Sequence, residues 1–253
     1  MLTLKEDIRK IFDKEGVTLY SGRNVVKKMV LSTHDGDIEM VVKRFRCRNI
    51  FQRIGYTLAG KSKAHKAYDN ALQLESLGFN TPKAYAYYDY KSCGLLEECF
   101  FLSGIDNGTD LAERLPVYGE GRFSEEMASA FGSFVAHLHR AGVIHHDLNS
   151  TNVRFNIAKD GEISFSLIDI NRMDFYDGNT IPLNVRVENL TRFTGRLDVT
   201  EAVARAYAKE IGADVESLTE AIVKQKVAHD RAWKRRKALL HPVKTWKKSK
   251  EKK

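Results

Sequence analysis

Cysteine is scarce in this chain: only Cys47, Cys93 and Cys99 occur, with no C-x-x-C pair. That usage excludes a disulfide framework and a cysteine-built zinc site, and it fits a reducing compartment. Long apolar runs are missing too. No window of about 18 apolar residues exists, so no membrane-spanning helix is expected. The start, Met1-Leu2-Thr3-Leu4-Lys5-Glu6-Asp7, is too charged for a signal peptide, which sets the expectation of a cytoplasmic location. Acid is nearly absent at the other end. Residues 231–253 hold eleven Lys/Arg against Glu251 alone, so the +8 of the whole chain belongs to this tail and the rest nets −2. What remains is 253 residues, 43% hydrophobic and 29% charged, enough for one substantial core or two unequal lobes.

The informative stretch is Val143-Ile144-His145-His146-Asp147-Leu148-Asn149-Ser150-Thr151-Asn152, followed by Leu167-Ile168-Asp169. It presents an Asp, an Asn five residues on, and a second Asp behind an apolar run. Phosphoryl transfer from ATP needs such a set: one carboxylate to take the acceptor's proton, an amide and another carboxylate to hold Mg²⁺. Kinases place these groups as H-R-D-x-x-x-x-N and D-F-G. Here the pattern reads H-H-D-L-N-S-T-N and D-I-N. Asp147 is therefore the candidate base, and Asn152 and Asp169 are the candidate metal ligands. The surroundings agree. A helix with Ala128, Phe131, Phe134, Val135 and Leu138 on one face ends at Gly142, and strand, turn and strand run from Val153 through Lys159-Asp160-Gly161 to Ile170. Such a hairpin brings Asp169 back beside Asn152.

Upstream, Thr3-Leu4-Lys5-Glu6 signals the start of a short helix ended by Gly16. Three antiparallel strands follow, turning at Ser21-Gly22-Arg23-Asn24 and at His34-Asp35-Gly36-Asp37. The first turn is expected to lie over nucleotide phosphates, with Gly22 as its one glycine where protein kinases carry three. Val41-Val42-Lys43 sits where V-A-I-K places the lysine that meets the α and β phosphates, and Lys43 shares a strand face with Val41 and Phe45. Helices are expected over 49–58 and 62–77. The second should supply an acid to orient Lys43, with Asp69 beside the apolar stripe as the choice and Glu75 as the alternative. A strand pair from Pro82 to Leu102 leads to a hinge at Ser103–Gly108, and the segment from Thr109 is read as helical. Asn171 to Arg192 reads as irregular, and two last helices cover Val199–Ile211 and Val215–Leu240, stopped by His241-Pro242.

The fold expected is α+β, a protein-kinase-like two-lobed arrangement. It has an antiparallel-sheet N-lobe over 1–103, a mostly helical C-lobe over 104–240 and a basic tail over 241–253. No A-P-E ends an activation segment, and His146 replaces the arginine of H-R-D. Both absences argue against a switchable protein kinase.

Four stretches carry a family resemblance: Val41-Val42-Lys43, Ser62-Lys63-Ala64 running to Leu77-Gly78-Phe79-Asn80-Thr81-Pro82, His145 to Asn152, and Leu167 to Arg172. Asn189-Leu190-Thr191-Arg192-Phe193 adds to them. Together they resemble the lipopolysaccharide kinases of the Kdo kinase and heptose kinase group, bacterial enzymes that phosphorylate inner-core sugars. The H-x-D-L-N-x-x-N loop is closer to the Kdo kinase branch, because the heptose kinase loop usually lacks the asparagine found here as Asn152. The resemblance implies ATP, Mg²⁺ and a hydroxyl of a lipid-linked Kdo acceptor. It makes Asp147 the base, Asn152 and Asp169 the metal ligands and Lys43 the phosphate clamp. The chain departs from the family at Asp69, where glutamate is more usual, and at Asn171, often acidic.

A lipid-linked acceptor gives the tail a role, since anionic membranes attract Lys and Arg; the expectation is peripheral contact at the cytoplasmic face of the inner membrane. Nucleic acid ranks last as a partner, because no binding motif accompanies the charge. Two rivals stand beside the sugar kinase: a kinase of another acceptor (a protein tyrosine or an aminoglycoside-like molecule), and a non-catalytic kinase-like scaffold.

Overall fold

The computed structural model describes residues 4–34, 36–47, 49–176 and 180–240. Thr3 of the expected capping box, Asp35 of the second turn, the His241-Pro242 stop and the 241–253 tail lie outside the described residues. The chain forms two compact units. The first takes Met1–Asp110, His145–Asp147 and Asn152–Asp174; the second takes Leu111–Ile144, Leu148–Thr151 and Phe175–Lys253.

In the first unit, α1 (Ile8–Phe12) is capped by Asp7, whose carboxylate accepts from Arg9 N–H. It is followed by β1 (Val17–Ser21), β2 (Val25–Thr33) and β3 (Gly36–Arg46). Then come α2 (Ile50–Leu58), α3 (Lys63–Ser76), β4 (Ala84–Ser92) and β5 (Leu95–Ser103). The strands make one five-stranded antiparallel sheet in the order β1-β2-β3-β5-β4. Period-two alternation decides what each face of β3 meets. Met40 and Val42 go into a core with Ile8, Phe12, Met29, Leu31, Phe100 and Leu102. Arg44 shares that face, lies over the Phe12 ring and bonds Asp13 at 2.7 Å. Lys43 takes the opposite face and pairs across the ladders with Val26 and Phe101.

The expected hinge is tied to the same unit. Asp106 accepts from Gly108 N–H at 2.8 Å and from the Ser166 hydroxyl at 2.6 Å. A Cβ on Gly108 would stand 3.1 Å from the Phe155 carbonyl, so this crossing needs the bare backbone. The strand β6 (Thr109–Asp110) then pairs with β8 (Val153–Ile157), which pairs with β9 (Ile163–Leu167) in register Val153↔Leu167. The segment from Thr109 is therefore not helical as expected. It is a short strand and one 3-10 turn at Leu111–Glu113, because Thr109 and Asp110 complete the β8 edge.

The second unit is built on α4 (Glu125–Arg140), capped by Ser124. The chain then passes through β7 (Val143–His145) and, after the hairpin, β10 (Met173–Phe175), which form a two-stranded ladder. The helices α5 (Leu183–Leu190), α6 (Leu197–Glu210) and α7 (Val215–Leu240) complete it. The described residues of 171–192 are thus more regular than expected. The helix α5 begins at Pro182 with no side-chain cap, so the usual Ser/Thr/Asp signal is missing from the sequence.

Candidate active site

The β8–β9 hairpin does what its pattern requires. Ile168 N–H donates to the Asn152 carbonyl at 2.9 Å, which seats the segment before Asp169 against the segment carrying Asn152. Two further bonds fix the strand end from below: Leu167 N–H to the Asn80 carbonyl at 2.9 Å, and the Thr81 hydroxyl to the Leu167 carbonyl at 2.8 Å. Asp169 itself has φ +55°, in the left-handed region that Asp tolerates better than most residues. Strained backbone of this kind survives where its surroundings hold it.

The Asp147 loop is joined to the same strand end by His145. This ring is buried, and burial lowers its pKa, so it stays neutral. A neutral imidazole has one donor and one acceptor. Asp147 N–H donates to Nδ1 at 3.1 Å, which leaves Nε2–H to donate to the Ile168 carbonyl at 3.2 Å. His145 is therefore a positioning residue between the Asp147 and Asp169 loops. Asn152 adds a second tie, its amide nitrogen donating to the Asp147 carbonyl at 2.9 Å, so its Oδ1 remains for a cation. His146, at the arginine position of H-R-D, bonds the Asp174 carboxylate at 2.7 Å.

Lys43 reaches this cluster from β3: its Nζ bonds Asp169 Oδ1 at 2.5 Å, and Asn171 donates to the same oxygen at 2.5 Å. Asp69 does not join it. The buried stripe of α3 is Ala64, Ala67, Ala71 and Leu74, and Asp69, two residues past Ala67, is turned roughly 200° away at 3.6 residues per turn. There it bonds Lys61 at 2.6 Å and faces His65. Glu75 is exposed and makes no ion pair with Lys43. The face that α3 does turn toward the Asp169 loop carries Asn70, whose amide donates to the Ile170 carbonyl at 2.7 Å, and Lys63 seven residues earlier. Ala67 lies between them, where no acid is available. Lys43 therefore takes its counter-charge from Asp169.

Lys63 was not among the expected site residues. Burial lowers its pKa, the nearby charge of Arg23 lowers it further, and Asp169 pulls the other way. Arg23 comes from the β1–β2 turn beside Gly22, whose N–H donates to the Asn24 carbonyl at 3.0 Å. A glycine-poor turn is thus paired with cations. Lys63 lies in the Ser62-Lys63-Ala64 stretch that carries the family resemblance, but no motif spacing marks its side chain.

The Kdo member of the family models, described as the lipopolysaccharide kinase (Kdo/WaaP) family, matches residues 27–221. The chain belongs to that family. It is thus a lipopolysaccharide kinase, one of the enzymes that phosphorylate sugars of the lipopolysaccharide core, and kinase chemistry brings ATP with it. Lys43, Asp147, Asn152 and Asp169 lie inside the matched region, while Gly22 precedes it and the basic tail follows it. One solved structure, of WaaP in complex with acyl carrier protein, has a TM-score of 0.55 to this fold. It is 17% identical, with 87% of this chain and 92% of that chain covered, a likeness of fold. No curated relative matches. The antiparallel-sheet N-terminal region and helical C-terminal region fit this kinase-like α+β fold as the sequence led us to expect. Among the described residues no helix is long and apolar enough to cross a membrane.

Proposed function

We propose that this lipopolysaccharide kinase transfers the γ-phosphoryl group of Mg·ATP to a hydroxyl of a Kdo-type inner-core sugar on a lipid-linked acceptor. The observation that carries the reading is the joined cluster: Asp147 tied through His145 to Ile168, and Asp169 tied to Lys43. Asp147 takes or orients the proton of the attacking hydroxyl, a role worth roughly 10²–10⁴ in rate for a general base. Lys43 would hold the α and β phosphates, helped by the cations Arg23 and Lys63. The turn at Gly22 covers the phosphates. Asp169 and Asn152 Oδ1 are hard oxygen donors, and Mg²⁺ is commonly held by one or two such groups together with phosphate oxygens. A cation held there would neutralise the negative charge of the phosphates.

The Asn152 position supports the Kdo kinase branch, and the basic tail supports recruitment to an anionic cytoplasmic membrane face. The test is incubation of the purified protein with Mg·ATP and a Kdo-lipid A precursor, scored by mass for one added phosphate. Product confirms the acceptor class. Phosphoryl transfer to a heptose-containing acceptor instead would move the chain to the other branch.

A further inference from the structure

The helix α2 is inside out. Soluble helices turn their apolar stripe to the core and their polar face to water. Here Arg53, Tyr56 and Thr57 are the half-buried residues. Arg53 donates to the main-chain carbonyls of Ser92 at 2.7 Å and Leu96 at 3.2 Å, and the Thr57 hydroxyl accepts from Leu96 N–H at 2.9 Å. These polar bonds fix α2 to the β4–β5 end of the sheet. The adjoining face, Ile50, Phe51, Ile54 and Leu58, lies open, with Phe51 81% and Leu58 82% exposed. The side chains follow i, i+1, i+4, i+8 spacing, one continuous apolar arc.

The charge around the helix is of one sign in the sequence. From Met40 to Tyr68 the chain carries eight Lys/Arg and no Asp or Glu. Arg46 before the helix and Lys61 after it pair with Glu98 and Asp69 yet remain 58% and 54% exposed, and Lys66 is exposed as well. A second copy seated on this face by a two-fold axis would set these cations against their own counterparts. An anionic lipid surface answers both features at once, taking the apolar arc into the acyl boundary and the flanking cations at the headgroups.

We propose that α2 is a membrane-docking helix: Phe51 and Leu58 insert into an anionic bilayer while Arg53 and Thr57 hold the helix to the folded protein. None of Ile50, Phe51, Ile54 and Leu58 is among the residues assigned to phosphoryl transfer.

The experiment is sedimentation of the full chain with phosphatidylcholine vesicles with and without phosphatidylglycerol, in the absence of nucleotide and acceptor. A failure therefore leaves the sugar-kinase reading untouched. Wild type should bind the anionic vesicles and keep part of that binding at about 1 M salt, where the Debye length falls to about 3 Å and purely electrostatic attachment is lost. The double variant Phe51→Glu/Leu58→Glu should bind roughly tenfold weaker or worse, because the inserted apolar area is gone. Its melting temperature should match wild type, since neither side chain is packed; should it fall, Phe51→Ser/Leu58→Ser replaces it. A Phe51→Trp reporter, read as the difference from the parent chain, should shift to the blue and be quenched by brominated lipid. Unchanged binding of the double variant, or a Trp at position 51 that stays in water on the vesicles, overturns the proposal and leaves attachment to the tail. A vesicle-independent dimer that the double variant converts to monomer overturns it too, in favour of a second copy.

Discussion

At the scale of single residues, the site depends on groups that hold reacting groups as much as on the reacting groups. His145 joins the Asp147 amide to the Ile168 carbonyl with one donor and one acceptor. His145→Phe keeps ring volume and removes both bonds, leaving two main-chain groups without that partner. Each orphaned buried group costs about 1–3 kcal/mol. The expected result is a lower melting temperature and a fall in kcat with little change in the KM for ATP; a KM effect alone would show that His145 serves nucleotide binding. Asp69→Ala should leave kcat unchanged and alter stability by no more than about 0.5 kcal/mol, because its partner Lys61 is a half-exposed surface lysine. Loss of activity in that variant would restore Asp69 to the phosphate site. That the Asp147, Asn152 and Asp169 segments lie together was legible, because the motif spacing puts them on one hairpin and the loop before it. The Asp69 assignment failed because two residues of helix phase separate the buried stripe from the opposite face, and apolar Ala, Tyr and Leu occur on both sides of α3.

At the scale of elements, the β8–β9 hairpin was readable from period-two alternation flanking Asp160-Gly161, and it delivers Ile168 N–H to the Asn152 carbonyl as that pattern requires. The helices α4, α6 and α7 were readable from their apolar spacing. The pairing of α4 with α6 was not, since it depends on tertiary approach at a single glycine. A Cβ on Gly132 would stand 2.6 Å from both the Ala206 Cβ and the Val203 carbonyl. Gly132→Ala therefore overpacks this crossing despite its better helix propensity, and should destabilise by about 1–3 kcal/mol in denaturant melts. A stabilised variant would mean that the helices part freely there. The strand at Met173–Phe175 and the uncapped α5 were missed for a related reason: their signals are short, and Pro182 reads as a break when it is in fact the residue before the helix.

For the whole molecule, buried histidines set the response to acid. His139 on α4 is hydrogen-bonded to the Tyr207 hydroxyl at 2.9 Å and to Asn189 at 3.0 Å, and burial pushes its pKa down to about 4. Between that value and the ordinary 6.5 the unfolded chain holds a proton that the folded chain lacks. The histidine's contribution is therefore complete above pH 6.5, declines as pH falls, and levels off below about 4, amounting to roughly 3 kcal/mol at most. Burial shifts His145 the same way. Stability measured against pH should fall through this window, and His139→Phe should flatten the slope; an unchanged slope would assign the acid response elsewhere. Composition alone gave the eight histidines but not which ones are buried.

The most direct test of the account is single-turnover transfer from γ-labelled ATP, run with nucleotide binding measured on the same samples. Asp147→Ala should bind Mg·ATP as wild type does and lose roughly 10²–10⁴ in transfer rate, while Asp169→Ala should lose the metal-dependent part of binding. Near-normal transfer in Asp147→Ala would contradict the assignment of the base and, with it, the proposed mechanism.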